Sequence, residues 1–171
     1  MAENLNYDPG TGNSACYGNQ TSNCVTYGRL YDWSTAMGFP PRCNYDNCSS
    51  LIQTKHQGIC PSGWHIPSSE DWNKLTSYVK FTRYDSPMLK ATTGWNASSG
   101  DVDNGTDQYG FSALPGGSGS DGSFYYAGDL GFWWVSEKNS MIMSGYYGSG
   151  MMVIGQDYSK PILNSVRCVQ D

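Results

Sequence analysis

A chain of 171 residues with only 15% charged residues, but 21 Gly, 13 Tyr and 6 Trp, carries too little of the Ala, Leu, Glu and Lys that fill helical proteins. Its net charge of −5 is spread without any Lys/Arg cluster, which argues against nucleic acid and anionic membrane as partners. No apolar run nears the roughly 18 residues that a transmembrane helix needs. The N-terminus also lacks a charged-then-apolar secretion signal, so a leader, if the protein has one, stands outside this sequence.

Composition does not break along the chain, so one domain over 1–171 is expected. Residues 3–7 offer a short strand, and Asp8-Pro9-Gly10 turns into an Asn/Ser/Gly-rich loop. Asp32 then starts a short helix that carries Trp33, Ala36 and Met37, stops at Gly38 and is barred from continuing by Pro40-Pro41. Residues 42–59 read as a second polar loop. The stretch from Cys60 to Trp72 organises the rest of the chain: Pro61-Ser62-Gly63 is turn chemistry, Pro67 breaks any helix from upstream, and Ser68 with Asp71 reads as an N-cap with an acid in the first turn. The spacing of Trp72, Leu75 and Val79 predicts a helix over 69–81 with one apolar stripe.

Downstream the pattern changes to strands. Residues 88–91 make a short one, a polar loop runs from Gly94 through Asp107, and 109–114 alternate as a half-buried strand ended by Pro115-Gly116-Gly117. Residues 119–122 read as a flexible turn. Segments 124–126, 132–135, 141–143, 151–154 and 163–169 come next as five short strands, a meander with turns between them. Two early helices and a late, mostly antiparallel sheet make a loop-rich α+β class.

Six cysteines, Cys16, Cys24, Cys43, Cys48, Cys60 and Cys168, form an even set that favours disulfides and an oxidising compartment. Connectivity is open from sequence alone. Loop closure argues for the local pairs Cys16–Cys24 and Cys43–Cys48, leaving Cys60 with Cys168.

Other chemistry is weaker. Cys43, Cys48, His56 and Cys60 are a zinc alternative, but without a CxxC knuckle, and zinc would strand the remaining cysteines as an odd set. His65 lies near Ser62 and Ser69, yet no G-x-S-x-G elbow occurs, and a packed, hydrogen-bonded role fits it better than catalysis. The three glutamates, Glu3, Glu70 and Glu137, single out no carboxylate pair. The loop through Asp101, Asp103, Asn104 and Asp107 has oxygen ligands enough for Ca²⁺ but fails EF-hand spacing at Gly105, so calcium stays an alternative there and no cofactor is expected.

Residues 122–160 hold more large apolar side chains than one small sheet face can bury. Trp133 and Trp134 are assigned to the core. Tyr125, Tyr126, Met141, Met143, Tyr146, Tyr147 and Met151 are expected to form an exposed ligand-binding patch.

Several motifs carry a family resemblance. Ala2-Glu3-Asn4-Leu5-Asn6-Tyr7, Tyr27-Gly28-Arg29-Leu30-Tyr31-Asp32-Trp33, Cys60-Pro61-Ser62-Gly63-Trp64-His65-Ile66-Pro67, the run from Gly105 to Gly117, Trp133-Trp134 and Ser165-Val166-Arg167-Cys168-Val169 resemble the Fibrobacter succinogenes major paralogous domain, in the family's order and over nearly the whole chain. The resemblance implies a bacterial envelope or secreted protein of C-type-lectin-like fold, with paired terminal strands and two helices flanking a twisted sheet. It brings no catalytic motif. The Glu-Pro-Asn, Gln-Pro-Asp and Trp-Asn-Asp signatures of calcium-dependent sugar binding are missing. After the Trp pair, Val135-Ser136-Glu137 and a Met/Tyr-rich run replace the family's usual small hydroxyl residues, which resembles the hypervariable ligand face of lectin-like proteins diversified by retroelements. The expectation is a non-catalytic cell-surface or secreted recognition or adhesion domain for a protein or polysaccharide ligand, without membrane insertion. Two alternatives stand beside it: an enzyme of the formylglycine-generating fold, and a structural envelope domain with no specific ligand.

Overall fold

The structure, a computed structural model, describes residues 1, 3–80, 87–97, 104–137, 139–144, 152–157 and 159–171. The first elements are β1 (Ser14–Ala15), α1 (Thr21–Tyr27), β2 (Leu30–Tyr31) and α2 (Trp33–Met37). Helix α2 forms where its caps predict: an Asp32 carboxylate oxygen accepts from the Thr35 N–H at 2.7 Å, and Gly38 closes the helix in left-handed backbone at φ 67°. All five of its residues are buried. Helix α1 is a third helix, in a stretch whose composition reads as loop. Thr, Ser, Asn and Val give it little intrinsic propensity, and the Cys16–Cys24 bridge holds it instead, with Gly28 returning its N–H to the Cys24 carbonyl at 3.0 Å.

Strand β3 (Trp64–His65) leads into α3 (Ser69–Tyr78). A full capping box starts this helix, Ser68 and Asp71 each bonding the other's backbone N–H. It ends at Tyr78 rather than 81 because Lys80 takes left-handed backbone at φ 49°. The predicted strands over 88–91 and 109–114 reduce to one isolated parallel bridge, Lys90 with Ala113. Side chains hold this region in place of a ladder: Asp107 accepts from the Ser112 N–H and hydroxyl, and the Arg167 guanidinium donates to the Phe111 and Ser112 carbonyls while lying 4.3 Å from the Phe111 ring.

The remaining strands are β4 (Gly116–Ser120), β5 (Ser123–Ala127), β6 (Leu130–Trp134), β7 (Asn139–Ser144), β8 (Met152–Asp157), β9 (Asn164–Ser165) and β10 (Val169–Gln170). Two expectations are corrected here. Of the turn expected over 119–122 only Asp121 and Gly122 turn, because a mostly buried strand runs over 116–120 and its Gly119 is there for clearance: a Cβ on Gly119 would stand 3.1 Å from the Phe124 ring and 3.3 Å from Leu163. The sheet is also mixed rather than a plain antiparallel meander. Strand β6 pairs antiparallel with β7 but parallel with β4, at Gly117–Gly131, and with β9, at Trp133–Ser165. These parallel partners are not neighbours in sequence, so no turn motif announces them. Strands β10 and β3 pair separately, and at the N-terminal end the Leu5 N–H donates to the Val166 carbonyl at 2.8 Å although 3–7 join no ladder.

Trp133 and Trp134 point to opposite faces of β6, as strand alternation requires. Trp134 packs with Trp33, Met37, Ile66 and Val166 in one cluster, and Trp133 with Trp72, Leu89, Trp95 and Val135 in the other. Each indole N–H is satisfied across the chain, Trp133 by the Asn4 side chain at 2.8 Å and Trp134 by the Tyr31 carbonyl at 2.6 Å.

The bridges are Cys16–Cys24, Cys43–Cys48 and Cys60–Cys168, the pairing that loop closure selects. The zinc alternative fails at this point, because Cys43, Cys48 and Cys60 spend their sulfurs in bridges. Three disulfides place the chain in an oxidising, extracytoplasmic environment. No helix among the described residues is long and apolar enough to cross a membrane. The architecture is thus α+β, with few helices, a curled mixed sheet and three staples.

Candidate functional site

The exposed aromatic face is built on the β4–β5 hairpin. Asp121 and Gly122, at φ 50° and 77°, make the two-residue turn whose left-handed positions suit a twisted hairpin. Beyond it Ser118 stands opposite Tyr125 and Gly116 opposite Ala127, so Gly117 faces Tyr126. Both of these middle residues are left-handed, Gly117 at φ 65° and Tyr126 at φ 68°. For a bulky residue such as tyrosine this is an uncommon, strained conformation.

Its effect is local and specific. Successive side chains of a regular strand point to opposite faces, yet the Tyr125 and Tyr126 rings stand 6.0 Å apart, inclined at 43°, and are 47% and 54% exposed. Tyr126 also lies 6.2 Å from the buried Phe132 ring of β6, which fixes one edge of the pair to the sheet. The turn after Tyr126 is pinned: the Asp129 N–H returns to the Tyr126 carbonyl at 3.0 Å, and the Asn96 side chain donates to the Asp129 carboxylate at 3.0 Å. Gly128, at φ 87°, is required here, since a Cβ would enter the Asn96 amide, 2.7 Å from its carbon.

Of the seven residues expected in the patch, Tyr125 and Tyr126 stand together on the surface. Met143 does not join them. The register sets it opposite Gly131, and its side chain is fully buried in the cluster around Trp133. Met141 stands opposite Trp133 in the ladder. Tyr146, Tyr147 and Met151 lie outside the described residues. Leu130 pairs with Ser144, so β7 ends beside the start of β6, close to the turn that Tyr126 opens. Asn96 and Asp129, which hold that turn, carry no mark in the sequence, because a contact across 33 residues leaves no local signal.

His65 is buried, its Nδ1 2.8 Å from an Asp171 carboxylate oxygen and its Nε2 3.3 Å from Asp71. Burial pushes the Asp71 carboxyl up, but hydrogen bonds from the Ser68 side chain and backbone and from His65 outweigh it and hold the group below the usual carboxylate range. This cluster is used in capping α3. Burial also depresses Arg167 to about 10, against the opposing pull of Asp107 and Glu3. Among the described residues no three His, Cys, Asp or Glu side chains gather as a metal site.

A model of the Fibrobacter succinogenes major domain matches residues 1–170. The chain belongs to this family. No curated protein and no solved structure matches it. The motifs quoted for the Fibrobacter succinogenes major domain now have positions: the Trp pair joins the two clusters, Cys60 and Cys168 form the long bridge, and Arg167 holds the segment through Phe111. The two exposed tyrosines, by contrast, stand outside those motifs.

Proposed function

We propose that this chain is a non-catalytic recognition or adhesion domain of C-type-lectin-like fold, acting at the cell surface or in secreted form, that holds a protein or glycan ligand on the face around Tyr125 and Tyr126. The observation that carries the reading is Tyr126 itself, kept in left-handed backbone so that two adjacent phenols stand exposed on one side. Tyrosine pairs supply large contact area with few rotors to freeze and a hydroxyl for hydrogen bonding, the character of binding hot spots. The lectin-like reading draws support from the long Cys60–Cys168 bridge, the pairing of N- and C-terminal segments and the mixed sheet flanked by helices. That all six sulfurs are bridged supports this reading over the formylglycine alternative, whose chemistry needs reduced cysteines.

The test is capture on protein and glycan arrays, comparing the parent chain with Tyr125→Ala/Tyr126→Ala and with Tyr126→Gly. The double variant should lose about tenfold or more in affinity for whatever the parent captures, with a melting temperature within a few degrees. Tyr126→Gly should relieve about 1 kcal/mol of backbone strain, so that it melts no lower than the double variant while still losing ligand. Unchanged capture by both variants refutes the face. A large loss of stability from the double variant would assign the phenols to packing, as in a structural envelope domain.

A further inference from the structure

Two clefts lie beyond the other end of β6 from the tyrosine pair, since Tyr126 precedes that strand and Glu137, which lines both clefts, follows it. The loop closed by Cys43–Cys48 stands over a cleft of about 860 Å³ walled by Trp33, Tyr45, Asn47, Glu137, Ser159 and Lys160. A second cleft of about 420 Å³, reaching His56, Ser68 and Lys74, shares Ile52 and Glu137 with it, so the two clefts adjoin at these residues and are taken together as one groove. Each is of the size that small-ligand sites commonly have.

The walls are held before any ligand arrives. Lys160 donates to the Cys43 and Asp46 carbonyls at 2.6 and 2.8 Å and lies 4.5 Å from the Trp33 ring, while Asn44 accepts from the Ser34 N–H and donates to Asp32. A loop so fixed loses little freedom on binding. Tyr45, at the tip, is 82% exposed, and the buried Trp33 indole N–H finds no acceptor among the described residues.

We propose that this groove binds a neutral oligosaccharide, with Tyr45 as the aromatic surface on which a sugar ring lies. The chemistry chooses among ligand classes. Asp46, Glu137, Glu70 and Asp71 line the two clefts together with Lys160, Lys55 and Lys74, so charges of both signs are present and neither a polyanion nor a polycation is favoured. The amides and hydroxyls of the walls both give and take hydrogen bonds and the carboxylates accept them, which matches the donor and acceptor character of sugar hydroxyls. An extended peptide would look for an unpaired strand edge or apolar side-chain pockets, whereas these walls are built from 3-10 turns and a helix N-terminus. Two adjoining clefts, of about 860 and about 420 Å³, suit a chain of sugars better than one.

The test is calorimetric titration of the native chain with neutral β-linked hexasaccharides of glucose, xylose, mannose and N-acetylglucosamine, and with the matching disaccharides and a neutral extended peptide. At least one hexasaccharide should bind, more tightly than its disaccharide; Tyr45→Ala should weaken it about tenfold and Tyr45→Phe should keep it. Tyr125→Ala/Tyr126→Ala should leave this binding unchanged, which separates the groove from the tyrosine face on β5. No heat from any hexasaccharide, binding of the peptide alone, or affinity indifferent to Tyr45→Ala overturns the proposal. Loss of saccharide binding only in the Tyr125/Tyr126 variant would also overturn it, and would give the sugar to that face.

Discussion

Replacing Cys60 and Cys168 together by alanine should cost far more than removing either local bridge, because the pairs close loops of very different length. Their sequence separations are 108, 8 and 5 residues for Cys60–Cys168, Cys16–Cys24 and Cys43–Cys48. The chain-entropy relation assigns such loops about 4.8, about 2.5 and about 2.1 kcal/mol in turn. Cys60 and Cys168 are also buried in the first cluster, so the lost sulfurs leave unfilled space that adds to the cost. For a chain of this length each kcal/mol moves the melting temperature by about 2–4 °C, so the long bridge should be worth about 10–19 °C. Thermal unfolding followed by near-ultraviolet circular dichroism measures it, with intact mass confirming that the other two bridges remain. If the Cys60/Cys168 variant melts no lower than the Cys16/Cys24 variant, restriction of the unfolded chain is not what these staples contribute.

Two further outcomes rest on single contacts. Gly117→Ala should destabilise by about 3 kcal/mol or more in urea melts, since a Cβ would run into the Tyr125 carbonyl and stand 2.7 Å from the Ala127 nitrogen at a left-handed φ of 65°. Asp71→Asn should narrow the acid limb of the stability profile: the native carboxyl titrates below its ordinary 3.8, so its contribution is full above that value and is lost as pH falls through the lowered one. The gap in melting temperature between parent and variant should therefore be widest near about pH 6 and close in strong acid.

Local signals are legible in this sequence and distant ones are not. Asp32 with Gly38 and Ser68 with Asp71 define α2 and α3 because caps are set by residues close together in the chain. The cysteine pairing is legible for a similar reason, as two short loops leave one long one. Helix α1 escapes because its side chains favour loop and only a covalent bond decides otherwise. In β4 Gly119 reads as a turn residue, and what demands it is the nearness of Phe124 and Leu163, the latter far along the chain. Parallel pairing of β6 with β4 and β9 is likewise a tertiary choice. At the site, the surplus of aromatics correctly puts Tyr125 and Tyr126 outside, but strand alternation does not reveal the left-handed turn at Tyr126, nor that Met143 sinks opposite Gly131. The groove beside Cys43–Cys48 reads only as polar loop. Tyr45 among Asn44, Asp46 and Asn47, inside a bridge of sequence separation 5, is the one local sign of it.

Strand β6 sends one indole into each cluster, so the two halves of the interior are joined at the end of this strand, through the consecutive residues Trp133, Trp134 and Val135. Neither cluster contains a residue of β5. The side chains that make the fold cohere and the exposed pair proposed to meet a ligand on β5 are therefore different side chains. Side chains at 125 and 126 can be exchanged at the cost of local contacts alone, and a scaffold arranged in this way can change that surface while remaining the same scaffold.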